Sequence, residues 1–172
     1  MNKKGIDNFS NPNLLVDRKN YSVILYQDTL RVKQYKAVFG NNDERYKRYG
    51  NDKATPNGEY YVCKIDTNSK YHKFLQINYP NQRDAAEALK NEYISKKQYR
   101  EITRQLDNGI CSPDNSPLSA DIGIHGIGEY NFVFKNLPFI FNWTNGSAAV
   151  SNEAIDEIHS VVTNGTRVKF TH

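Results

Sequence analysis

Two places in the chain combine residue types that could carry acyl chemistry. His125 stands in Ile122-Gly123-Ile124-His125-Gly126, between glycines at the end of an apolar run. An imidazole titrates near neutrality and can take and return a proton at pH 7. A histidine in an apolar run is more often a satisfied core residue, so this position alone decides nothing. The second place is Trp143-Thr144-Asn145-Gly146-Ser147-Ala148-Ala149-Val150, followed at once by the helix-start pattern Ser151-Asn152-Glu153. It puts a hydroxyl, Ser147, on a tight turn just ahead of a helix N-terminus, where backbone N–H groups can receive an oxyanion. An ordinary loop before a helix reads the same way.

Other chemistries find less support. A serine nucleophile needs a base oriented within a full triad. The only nearby acid in sequence, Asp121, shares a strand face with His125 but lies roughly 13 Å away at strand rise. Asn145 and Ala149 occupy the glycine positions of a G-x-S-x-G elbow, so the turn is not one. Cys111 precedes His125 at short range, but its Ser/Pro loop offers no helix start to make an oxyanion hole. Cys63 and Cys111 show neither a CxxC spacing nor the density of a disulfide scaffold, and unpaired thiols are expected. His72, His159 and His172 have no ligand spacing, so a zinc site finds little support. The carboxylates form no pair that sequence can place at a glycosidase separation.

The elements that must position His125 and Ser147 are read from periodicity. Alternation marks strands over 14–16, 21–26, 31–38, 59–65 and 74–78, with short strands over 122–125 and 167–170. Residues 131–143 read as an extended aromatic segment in which Phe132, Phe134, Phe139, Phe141 and Trp143 alternate between core and cleft wall. Between 83 and 106 the spacing turns helical, and Ser95 as an N-cap divides it into two helices. A last helix runs from Ser151 to about 162. The reading is one β-rich α+β domain over 13–172, with a mixed or antiparallel sheet core and flanking helices, preceded by a polar tail over 1–12.

The chain has 172 residues, enough for one core, and only 38% of them are hydrophobic; its 12 Tyr and 8 Phe must supply much of the buried area. A net charge of +4, with basic residues scattered among acids, argues against nucleic-acid binding and leans toward an anionic partner such as wall polymer. No stretch approaches a membrane span, and no apolar h-region follows the two early lysines. The chain therefore reads as a protein that works where it is made, or as a mature form whose leader has been removed.

Taken in order, these segments resemble the YkuD-type L,D-transpeptidases. That family's signature is a His-Gly on a strand, a Ser/Thr-x-Gly-Cys turn, a helix, and a Gly-Thr turn into a final strand. Here stand His125-Gly126, Thr144-Asn145-Gly146-Ser147, the helix from Asn152, and Gly165-Thr166. The resemblance continues through Thr55-Pro56-Asn57-Gly58-Glu59-Tyr60, Phe74-Leu75-Gln76-Ile77-Asn78-Tyr79-Pro80-Asn81 and Pro117-Leu118, and covers 14–170. It implies a monomeric peptidoglycan enzyme of the periplasm or cell envelope. Such an enzyme takes an acyl group from a tetrapeptide stem at an L,D bond, releases D-Ala, and passes the acyl group to an amine or to water, with no metal or organic cofactor required. By resemblance His125 is the base, the carbonyl of Gly126 or its neighbour orients the ring, and the N–H groups of Gly146 and Ser147 form the oxyanion hole. Trp143, Thr144, Asn145 and Ala149 would line the substrate. Asn145 and Ala149 depart from the residues common there, and Ser147 replaces the nucleophilic cysteine, so the chain is expected to be inactive. The rival expectation is a silent wall-binding or regulatory domain of the same fold.

Overall fold

The computed structural model describes residues 9–42, 46–129 and 139–172. Eight strands form one mixed sheet: β1 (Pro12–Asp17), β2 (Ser22–Gln27), β3 (Leu30–Lys36), β4 (Gly58–Ser69), β5 (His72–Ile77), β6 (Gly123–His125), β7 (Ala148–Ala149) and β8 (Arg167–Thr171), in the spatial order β3-β2-β1-β8-β4-β5-β6-β7. Most neighbours are antiparallel; β1 with β8 and β6 with β7 are parallel. The sheet is thus mixed, and β1 begins at Pro12, inside the stretch read as tail.

β4 is longer than alternation suggested. Gly58 to Tyr61 pair with β8, and from Val62 onward the strand pairs with β5, so one strand joins the two halves of the sheet. Asp66 to Ser69 is polar and reads as a turn, yet Asp66 faces Phe74 and Ser69 faces His72 across the ladder. Their side chains lie outside the core, where polarity costs a strand nothing, and the turn itself falls at Lys70-Tyr71.

Three helices flank the sheet. In α1 (Gln82–Lys90) and α2 (Lys96–Asp107), Asn81 with Asp84 and Ser95 with Gln98 make reciprocal capping boxes, which explains the break at Ser95. In α3 (Asn152–His159) the Ser151 hydroxyl accepts from the Ala154 N–H, and Ala154, Ile155 and Ile158 face the sheet. The helix stops short of 162. The main core joins Val16, Val23, Leu75, Ile77, Ile124, Ile155, Ile158 and Phe170. Tyr60 and Tyr79 are buried as the aromatic-rich composition required, and the Tyr60 hydroxyl donates to Asp84.

One expectation is overturned. Cys63 on β4 and Cys111 are joined by a disulfide, their Cα atoms 5.6 Å apart. The chain leaves β4, forms β5, α1 and α2, and returns beside β4, a proximity that carries no trace in the cysteine spacing. The expected extended segment over 131–143 lies outside the described residues up to 138, Phe132 and Phe134 included. Beyond it, residues 139–143 form no strand: Phe139 and Trp143 pack against Val38, Ile127 and Ala149, while Phe141 is exposed.

Candidate active site

β6 lies between β5 and β7, and its last residue, His125, is in register with Phe74 on one side and Ala149 on the other. Ser147 stands one residue before β7, and its hydroxyl accepts the N–H of Gly123 at 3.1 Å. Where a longer β7 would offer that N–H a backbone carbonyl, the serine oxygen takes it instead. His125 and Ser147 therefore sit two residues apart along adjacent strands, both buried.

The turn before Ser147 is held from several sides. Thr144 Oγ1 donates to the Ser147 carbonyl at 2.7 Å and accepts the Gly146 N–H at 3.1 Å. Thr144 also exchanges backbone bonds with Phe39 and Asn41, Ala149 with Val38, and Val150 N–H donates to the His125 carbonyl. Gly146 has φ +123, and a Cβ there would lie 2.7 Å from the Ala54 carbonyl oxygen, so only glycine fits. Two expectations shift. β7 intervenes between Ser147 and α3, so Ser147 is not at the helix N-terminus, and the backbone donors beside it are those of the turn. Within the turn the Gly146 N–H is committed to Thr144, which leaves the N–H of Ser147 as the donor with no acceptor among the described residues.

The His125 ring is 3% exposed. Its Nδ1 lies 2.6 Å from the Gly126 carbonyl oxygen, which can only accept, so Nδ1 carries the proton and Nε2 the lone pair. Tyr71 stacks on the ring at 4.2 Å between centroids and 23° between planes; Phe74 and Trp143 approach at 5.9 Å each. Burial pushes the imidazole pKa down to about 4; the Gly126 carbonyl opposes the shift and the Lys70 ammonium adds to it. The ring is neutral at pH 7, with a lone pair available.

The glycines around His125 admit neighbouring backbone. A Cβ on Gly126 would lie 2.6 Å from both the Tyr71 carbonyl oxygen and Asn152 Oδ1, and one on Gly128 would lie 2.3 Å from the Lys70 carbonyl oxygen. The β4–β5 hairpin tip thus packs directly against the segment that follows the histidine. Asn152, first residue of α3, accepts the N–H groups of Ile127 and Gly128 at 3.0 Å each and donates to the Gly128 carbonyl at 2.9 Å.

The family profile of the YkuD, L,D-transpeptidase catalytic domain matches residues 12–170. The chain belongs to this family. Among solved structures, Bd1075 of Bdellovibrio bacteriovorus superposes with a TM-score of 0.58 at 19% identity, covering 94% of this chain and 48% of that one. The helical cell shape determining protein Pgp2 of Campylobacter jejuni gives 0.56 at 17% identity, over 96% and 51% of the two chains. An L,D-transpeptidase fragment from Xylanimonas cellulosilytica gives 0.52 at 15% identity, over 95% and 62%. At these identities the likeness is one of fold, and the present chain spans only about half to three-fifths of the chains it matches. No curated protein sequence matches it.

Within this YkuD domain, the expected site residues separate by surroundings. Gly126, Trp143, Thr144, Gly146 and Ser147 gather around His125 or the turn beside it. Asn145 is exposed, and Ala149, expected to line substrate, is fully buried with its backbone bonded to Val38. Asp121 is held by the Gln76 amide at 2.8 Å, and Cys111 is tied up in the disulfide. Among the described residues no three His, Cys, Asp or Glu side chains are placed to hold a metal ion. Tyr71, Lys70 and Asn152 were not singled out from sequence. Asn152 was visible only as a helix start, and nothing local marks the other two.

Proposed function

We propose that this domain acts on peptidoglycan stem peptides by acyl transfer at an L,D bond, with His125 as base and position 147 as the nucleophile position, and that the serine there leaves the site without turnover. The observation that carries the reading is the Nδ1–H bond to the Gly126 carbonyl, which leaves the lone pair on Nε2 of a ring whose strand runs beside the one that follows residue 147. With a thiol at 147, Nε2 takes the S–H proton as sulfur attacks the scissile carbonyl carbon. The carbonyl electrons move onto oxygen, and in this reading the N–H of residue 147 donates to that oxyanion. Collapse breaks the C–N bond, the departing D-Ala amine takes the proton from His125, and a thioester remains. An amine or water then attacks the thioester carbonyl carbon and gives its proton to the same nitrogen; collapse breaks the C–S bond, and the departing thiolate takes that proton back as the free thiol.

A hydroxyl holds its proton far more tightly than a thiol of pKa about 8.5, and an imidazole at about 4 without a carboxylate behind it is a weak base for it. The disulfide fits an oxidising compartment and supports a periplasmic or envelope location. A second reading, a silent stem-binding domain, is favoured by the bond between Ser147 Oγ and the Gly123 N–H, which uses the hydroxyl as a structural acceptor.

The test is D-Ala release from a tetrapeptide stem by the parent chain and by Ser147→Cys, with mass spectrometry for an acyl adduct at 147. The expected outcome is a gain of about 100-fold or more in the thiol form, lost again when His125→Ala is added. Brisk turnover by the parent through a serine ester would overturn the assigned chemistry, and a well-folded but inert thiol form would leave the silent domain as the better reading.

A further inference from the structure

The hairpin tip that walls His125 carries a lysine, Lys70. Lys33, Lys47, Lys73 and Lys169 each pair with a carboxylate: Glu157, Asp52, Asp156 and Glu59. Lys70 is exposed and has no carboxylate partner among the described residues. Its ammonium lies 4.9 Å from the centroid of the Tyr71 ring, and that ring is the one stacked on His125, so the charge is one ring removed from the imidazole. Its backbone is fixed, because the Lys70 carbonyl packs against Gly128 in the space a side chain there would need. The positive charge of Lys70 also adds to the downward shift of the His125 pKa.

We propose that Lys70 is the docking cation for the free carboxylate of the residue beyond the scissile bond, so that the site selects stems ending in an ionised D-residue over amidated or extended ones. This rests on the function proposed above. In such a stem the terminal carboxylate is joined to the scissile carbonyl through a single amide nitrogen and α-carbon, about 4 Å away. A cation that recognises it must therefore stand near the base, and Lys70 lies over the ring that stacks on the imidazole. The Tyr71 face holds the ammonium in place while leaving its N–H donors free for a carboxylate. An exposed pair of this kind is worth a several-fold preference, reduced by salt.

The experiment uses the chain with Ser147 in place and measures binding, by calorimetry, of a synthetic stem tetrapeptide ending in D-Ala and of the same peptide ending in D-Ala amide. The parent is expected to prefer the carboxylate by about 5-fold, with the preference shrinking at high salt. Lys70→Gln should abolish the preference by weakening only the carboxylate peptide, and Lys70→Arg should keep it. In the Ser147→Cys background the same Lys70→Gln change should raise KM and leave kcat nearly unaltered. An unchanged preference in Lys70→Gln, or equal weakening of both peptides, overturns the role of Lys70 while stem recognition stands. If neither peptide binds the parent, stem recognition itself fails, and this assignment fails with it.

Discussion

The imidazole of His125 is held neutral by burial, and that has a consequence for stability with a definite sign. In the unfolded chain the ring takes a proton below its ordinary value of 6.5, whereas in the folded protein it does so only near 4. Between those values the unfolded state binds more protons, so stability falls as pH is lowered from 6.5 to 4, by about 3 kcal/mol over the whole window. Asp84 works the other way. Its burial at the α1 capping box raises its carboxyl to about 6 from 3.8, so the folded state holds the extra proton and gains stability as pH falls through that interval. Comparing the parent with His125→Gln isolates the imidazole, because Asp84 contributes equally to both. Urea unfolding at pH 7, 5.5 and 4 should show the gap between the two proteins changing by about 3 kcal/mol in favour of the variant at low pH. A constant gap would mean that the ring is open to water.

At the scale of elements, the site is a junction of three pieces: the end of β6, the Lys70-Tyr71 hairpin tip, and the first turn of α3. His72 and Lys73 both reach Asp156 on α3, at 2.8 and 2.7 Å, and Asn152 binds the chain just past His125. Gly126 is where the three meet. Gly126→Ala would drive a methyl into the Tyr71 carbonyl oxygen, part of the backbone of the hairpin tip, and into Asn152 Oδ1, which cannot move without losing the N–H groups of Ile127 and Gly128. We expect a loss of about 2–3 kcal/mol of stability in thermal unfolding and a displaced His125 ring signal by NMR. Unaltered stability and ring signals would show that the hairpin tip is not wedged against the base.

Across the whole molecule, the Cys63–Cys111 bridge closes a loop with a sequence separation of 48 residues that contains β5, α1 and α2. Constraining a loop of that length in the unfolded chain is worth about 4 kcal/mol at most in the chain-entropy account. The paired substitution Cys63→Ser with Cys111→Ser should lower the denaturation midpoint accordingly, and a reductant should destabilise the parent but leave the variant alone. Insensitivity of the parent to reductant would mean that the thiols are unpaired in solution. Because β5 lies inside the loop and pairs with the strand that bears His125, a loosened bridge should also broaden the His125 resonance.

What was legible in the sequence was local. Alternation marked most strands, Ser95 and Ser151 marked helix starts through bonds that span three residues, and His125-Gly126 with Thr144-Asn145-Gly146-Ser147 marked a candidate site by residue type and spacing. Even the glycine at 146 was readable as a turn, since its backbone demand arises within the turn. Tertiary structure decided what depends on distant chain. β7 exists because residues 148 and 149 find β6 and Val38, not through any propensity of Ala-Ala. The same holds for the disulfide, for the capture of Asp121 by Gln76, and for Tyr71 and Lys70 beside the histidine. A hydrogen-bonded cap is encoded within one turn of chain, whereas the partner of a side chain across the sheet is settled only when register and loop path bring the two together.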